Sequence, residues 1–256
     1  YLDELKDVTF LSLTNKIINN PKNIISTGIN ASSQLKTIKK FQKLNEINKT
    51  ILLIPKENYK EEIEKAIKKS KIKSRNVYYY DSDPTKLTKQ IENITKYSQR
   101  KQNLKDEILR LENSDDVNKE RKIEKLKKKD TIGKINFDSI LIADFDETLK
   151  SITTSLLYTD VSPKEVYYIT LNQWFDESLL KETSSQPIYF PSINKENYIN
   201  FTKDYYEKFN EYPNQLSFLS YDLIGLIYYL ISKNNFIIDE KIFFKKNKFK
   251  GKIGIF

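Results

Sequence analysis

The stretch SILIADFDETL, from Ser139 to Leu149, closes an apolar run with Asp144, Asp146 and Thr148, the grouping in this chain that looks most like chemistry. Two carboxylates at i and i+2 with a hydroxyl behind them can share nucleophilic or acid–base work. The same residues have a structural use, because Asp144 or Asp146 at the end of a parallel strand can accept the free amides that open a helix. Composition offers catalysis little else. The 256 residues include no cysteine and no histidine, which removes thiol nucleophiles, Cys and His metal sites, Ser-His-Asp triads and imidazole acid–base chemistry. Five glycines, Gly28, Gly133, Gly225, Gly251 and Gly254, are spaced neither as GxGxxG nor as a P-loop, so no phosphate-cradling turn is expected.

The formal charge of +9 invites a nucleic-acid reading. Only Arg75, Arg100, Arg110 and Arg121 of the 44 basic residues are arginine, the residue that makes bidentate contacts with bases and phosphates. Lysines interleaved with acids read as a solvated face, and no nucleic-acid partner is expected. No run of about 18 apolar residues occurs that would span a membrane. The chain opens at Tyr1 without a start methionine or an apolar leader, so any targeting segment is expected upstream of it. The lack of cysteine is compatible with an oxidising compartment.

The elements that must position these residues alternate. Short runs of β-branched and aromatic residues read as strands: VTFLSL from Val8, NIIST from Asn23, TILLIP from Thr50, NVYYYD from Asn76, DSILIAD from Asp138, VYYITL from Val166 and PIYFP from Pro187. Helical periods lie between them, at Ser33 to Ile47 with Leu35, Ile38, Phe41 and Leu44, and at Tyr59 to Lys69 with Ile63, Ala66 and Ile67. Continuous apolar strands alternating with helices predict an α/β fold whose parallel sheets are covered on both faces. Residues 84–130 break the rhythm. They show no strand signal and read as an inserted pair of antiparallel surface helices, with Leu104, Ile108 and Leu111 on one, Ile123 and Leu126 on the other, and NSDD between. Such a pair serves as a decoration between two strands or as a partner-docking arm.

Asp-x-Asp-x-Thr after an apolar strand resembles the first motif of the haloacid-dehalogenase-like phosphatases. That resemblance implies Asp144 as the nucleophile on phosphorus, Asp146 as the acid–base, Thr148 as a supporting hydroxyl and magnesium between the carboxylates. The family also has a downstream lysine and a second acidic pair at a strand end. No such pair follows residue 149, and four strands precede a motif that normally opens its domain. The helix-start reading is preferred, and the chain is expected not to be an enzyme.

A wider resemblance covers most of the chain. Phe201, Tyr205, Phe209 and Pro213 are followed by Tyr221-Asp222, with Leu223 in place of the usual alanine. This order resembles the C-terminal signature of the type I periplasmic binding proteins, the Leu/Ile/Val-receptor-like family. VTFLSLTN, STGIN, TILLIPKENY, FDSILIADF, YYITLNQW, PIYFPS and FKGKIGIF resemble its successive segments in order. The resemblance implies a two-lobed type I fold with the first lobe truncated at its N-terminus. Residues 1–47 with 184–244 would form the first lobe, and 48–183 with 245–256 the second, the latter carrying the helical pair at 84–130.

The charged helical pair followed by KKDTIGKINFDSILI is most similar to the branch of penicillin-binding protein activators. That branch implies a non-enzymatic periplasmic lipoprotein that regulates peptidoglycan synthesis, with a membrane-bound peptidoglycan synthase as partner. It would touch the membrane only through a lipid anchor upstream of Tyr1. The alternative within the same fold is the solute receptor of an ABC importer, which hands an amino acid or similar small molecule to a permease. Neither implies a cofactor or a metal. A receptor needs hydroxyls or amides for a carboxylate, a carboxylate for an ammonium and an apolar wall at strand C-termini. The candidates for an interlobe cleft are Ser12, Thr14, Asp144, Phe145 and Trp174. Tyr221 and Asp222 are expected to satisfy backbone amides where helices pack.

Overall fold

The computed structural model describes residues 4–5, 7–14, 23–57, 59–144, 146–171, 183–245 and 248–252. These fall into two compact units, one drawn from residues 1–34 and 191–256 and the other from 35–172 and 176–190. Phe145 and Trp174 lie outside the described residues.

The larger unit is built on a five-stranded sheet. In chain order its strands are β3 (Thr50–Pro55), β4 (Asn76–Tyr80), β5 (Ser139–Ile142), β6 (Tyr167–Thr170) and β7 (Ile188–Tyr189), arranged β4-β3-β5-β6-β7 and parallel throughout. Every residue of β3 and β5 is buried. Strands buried on both faces need no polar alternation, which is why TILLIP and SILI are apolar runs.

Side chains of successive residues leave opposite faces. Ile51, Leu53, Ile140, Ile142 and Tyr168 point to one face. They share a core with Leu87 and Ile91 of α3 (Pro84–Thr95) and with Leu149, Ile152 and Leu156 of α6 (Asp146–Tyr158). Each of these five helical side chains is at most 1% exposed, and burying each is worth about 1.5–3 kcal/mol. The other face takes α1 (Ala31–Leu44), whose Phe41 ring lies 5.9 Å from that of Tyr167 and 5.1 Å from that of Tyr189. Alongside it, α2 (Lys60–Ser70) packs on β3.

Residues 84–130 divide into three helices, not two. The first is α3, an ordinary crossover helix capped by Asp83, whose side chain accepts from the amides of Thr85 and Lys86. The pair expected from the sequence is α4 (Tyr97–Glu112) and α5 (Lys119–Lys127), which pack on each other.

The smaller unit contains the parallel pair β1 (Phe10–Ser12) and β2 (Ile24–Ser26), and the long helices α7 (Lys195–Phe209) and α8 (Gln215–Lys233). Asn194 and Asn214 cap the two helices through the amides of Asn197 and Ser217. Phe201 and Phe218 hold them together, with ring centroids 4.3 Å apart. Asp222 is 1% exposed and accepts the amide of Lys252 at 2.7 Å, so the carboxylate half of the Tyr-Asp pair is a packing residue. Tyr221 differs from the expectation, being 55% exposed with its ring edge-on to Phe201.

Three segments sit elsewhere than the resemblance implied, the first being residues 35–47, which were to belong to the first lobe but fall in the larger unit, where Phe41 packs on Tyr167 and Tyr189. PIYFP was to lead back to the first lobe, but Ile188 and Tyr189 pair with Tyr168 and Ile169 of the larger sheet, because Tyr189 completes the aromatic cluster over α1. The closing segment was to join the second lobe, but Phe249 and Gly251 lie against Gly225 and Asp222 of α8. A Cβ on Gly251 would fall 2.2 Å from Asp222 Oδ2, so that approach requires glycine.

Candidate ligand-binding site

Because β3, β4 and β5 are parallel, their C-terminal ends reach one edge of the larger sheet, and α2, α3 and α6 all start there. The loops that join them enclose a cavity of about 300 Å³. Its floor is set by register. Pro55 lies opposite Tyr80, the Lys56 amide donates to the Tyr80 carbonyl at 2.9 Å, and the Ala143 amide donates to the Leu53 carbonyl at 2.9 Å. Asp144 therefore follows directly on the last bonded residue beyond β5.

Tyr80 is 1% exposed, and its hydroxyl donates to Asp144 Oδ2. Burial, and then the adjacent Asp144 carboxylate, push the Tyr80 hydroxyl well above its ordinary pKa, so it stays a donor at any physiological pH. The Asp144 carbonyl accepts from Thr170 Oγ1 at 2.8 Å, which ties the same residue to β6. Asp144 is thus held from two strands while remaining on the cavity wall.

Around it the wall is strongly acidic. Glu57, Asp81, Asp144 and Glu147 face the space, with Lys56 as the one cation of the lining among the described residues. Asp81 is held below the usual carboxylate range, first by the Asp83 amide and then by Lys86. Hydroxyls come from Tyr59, Ser82 and Thr148. Tyr59 takes the left-handed conformation, φ 44°, at the start of α2. The helix N-termini beside the cavity add partial positive charge, which offsets some of this negative field. A small molecule bearing an ammonium group and hydroxyls suits such a lining.

Of the candidates read from the sequence, Asp144 lines this cavity. Ser12 and Thr14 belong to the smaller unit, where the Ser12 carbonyl accepts the amide of Thr27 at 2.8 Å and its hydroxyl at 3.0 Å. Thr148, assigned above only through the phosphatase-like motif, is also on the wall. No three acids converge as a metal-holding group among the described residues. Sequence reading missed Lys56, Glu57, Tyr59, Tyr80, Asp81 and Ser82. Their signal was available, since each ends or follows TILLIP or NVYYYD, and parallel strands present their C-termini on one side.

No family model matches the chain, and no curated protein matches it. Solved structures do. A leucine-, isoleucine-, valine-, threonine- and alanine-binding protein from Brucella ovis aligns with a TM-score of 0.56 and 12% identity, over 97% of this chain and 59% of that one. An ABC-transporter solute-binding protein from R. palustris in complex with 4-hydroxybenzoate gives 0.56 and 13%, over 99% and 64%. A leucine-binding protein from Thermotoga maritima gives 0.51 and 15%, over 93% and 61%. The chain spans less than two thirds of the length of each of these structures. At such identities the likeness is one of fold. The chain has the α/β fold of the type I periplasmic binding proteins, with parallel sheets flanked by helices.

Proposed function

We propose that the chain is the binding module of a solute receptor that works with an ABC importer, and that its ligand is a small molecule with an ammonium group, such as an amino acid. The observation that carries this reading is Asp144, held by Tyr80 and Thr170 on the wall of an acidic cavity at the C-terminal ends of parallel strands. The similar structures from B. ovis, R. palustris and T. maritima are named as amino-acid- or solute-binding proteins, which supports binding over catalysis. A periplasmic location and a permease partner follow from the same reading. The penicillin-binding protein activator branch, with its peptidoglycan synthase and lipid anchor, gains no support from those neighbours. Ser12, Thr14, Phe145 and Trp174 stay as proposed ligand contacts.

A thermal-shift screen of free amino acids tests the proposal. A ligand at 1,000 times its dissociation constant stabilises the folded state by about 4 kcal/mol, and each kcal/mol raises Tm by roughly 2–4 °C in a chain of this size. One amino acid is expected to give such a shift, and Asp144→Asn to abolish it without lowering the ligand-free Tm by more than a few degrees. A flat response across amino acids and hydroxylated amines sinks the receptor reading. A shift that survives Asp144→Asn moves the site away from this cavity.

A further inference from the structure

We propose that α5 is a docking arm for an anionic lipid surface. Residues 119–129 hold seven basic side chains, Lys119, Arg121, Lys122, Lys125, Lys127, Lys128 and Lys129, against the two acids Glu120 and Glu124. The segment thus concentrates a net +5 of the chain's +9 in eleven residues. Two of the seven cations are committed locally. Lys122 pairs with Asp116, and Lys119 Nζ donates to the carbonyls of Glu112 and Ser114. The side chains of the other five make no ion pair or hydrogen bond among the described residues, and all five residues are exposed.

Three of these five share one side of the helix. Ile123 and Leu126 are half-buried in the seam with α4, and α5 has no fully buried residue. Arg121, Lys125 and Lys128 recur at i, i+4 and i+7 on the side away from that seam, where Glu124 is the one acid. The helix adds almost nothing to the core, yet it carries a self-repelling positive stripe. An external negative surface is what such a stripe complements.

Two features favour lipid over nucleic acid or an acidic protein. Six of the seven cations are lysine, a mobile point charge suited to diffuse headgroup charge and poorly suited to bidentate readout. Val117, at the turn into α5, is 98% exposed, and Leu109 on α4 is 55% exposed. Apolar side chains beside a basic helix can enter the headgroup layer, and nothing in a phosphate backbone receives them. No helix among the described residues is long and apolar enough to cross a membrane.

Co-sedimentation of the full chain with vesicles tests the arm. Binding is expected to vesicles of equimolar phosphatidylglycerol and phosphatidylcholine, to be absent with phosphatidylcholine alone, and to weaken as salt rises. The triple variant Arg121→Gln, Lys125→Gln, Lys128→Gln is expected to lose affinity on the order of a hundredfold, about fivefold per cation removed. Lys36→Gln, Lys40→Gln, Lys43→Gln changes the net charge equally on exposed positions of α1 and is expected to keep most of the binding. The inference is overturned by failure to sediment with the anionic vesicles, or by equal losses in the two variants. Tighter retention of a duplex oligonucleotide or polyglutamate than of the vesicles at the same salt also overturns it.

Discussion

Replacing Arg100 tests how the larger unit fastens its helical excursion to the sheet layer. Arg100, in the first turn of α4, is 7% exposed. Its Nη1 donates to the Thr159 carbonyl at 3.0 Å, and its Nη2 to Thr131 Oγ1 at 2.6 Å and to the Asp160 carbonyl at 3.0 Å. The Asp160 carboxylate lies 3.6 Å from Nη2 and also accepts from Thr131 at 2.5 Å, with 42% of its side chain exposed. Arg100→Met keeps most of the stem volume and removes all three donors. Thr159 is fully buried, so its carbonyl is orphaned at about 1–3 kcal/mol, and the Asp160 carbonyl adds a smaller part of the same kind. Against this, the guanidinium Nε has no partner among the described residues, and burial lowers the Arg100 pKa, so methionine recovers some desolvation cost. The net loss is about 2–4 kcal/mol, or on the order of 1 M in the urea midpoint. Asp160→Asn leaves every guanidinium–carbonyl bond in place and removes a pair that water already screens, for less than about 1 kcal/mol. Equilibrium urea unfolding of both variants decides it. If Asp160→Asn costs as much as Arg100→Met, the ion pair and not the carbonyl clamp holds the excursion, and the reasoning fails.

Gly251→Ala should cost about 2–4 kcal/mol, since its Cβ would displace the buried Asp222 carboxylate from the Lys252 amide. Gly225→Ala should cost less, because its nearest contact is the tip of the Phe249 ring at 3.0 Å; denaturant midpoints that reverse this order count against the packing described. Thr50→Val removes the hydroxyl that bridges Gln42 Nε2 at 2.8 Å and Ser139 Oγ at 2.7 Å, both buried, and should cost about 1–3 kcal/mol; an unchanged melting curve would mean that water replaces the bridge. Asp81 has a folded pKa below the ordinary aspartate value, so its stabilising contribution is complete above that ordinary value and is lost as pH falls through the lower folded value. Asp81→Asn should flatten that part of an acid-unfolding profile, and an identical acid limb in the variant contradicts the assignment.

Burial on both faces made much of the fold legible. TILLIP and SILI cannot be half-exposed strands, and alternation with helices of 3.6 period leaves few arrangements besides a parallel sheet under two helical layers. The structure caps α7 and α8 with Asn194 and Asn214, whose short side chains reach the free amides of a helix start. The two-residue β7 was readable as a strand, but its sheet was not. Which sheet it joins depends on Tyr189 finding Phe41 and Tyr167, residues far away in the sequence.

The site divides in the same way. An acid after an apolar strand marks Asp144 locally, and the lack of histidine and cysteine narrows its chemistry from the sequence alone. That Tyr80, 64 residues away, is the donor to Asp144 follows only from strand order, because β4 reaches the same edge of the sheet through β3. Periodicity and composition act over a few neighbouring residues, so the chain alone specifies its elements and their buried faces. Lateral order and register are settled by packing between distant segments, and it is these that gather Glu57, Asp81, Asp144 and Glu147 around one cavity.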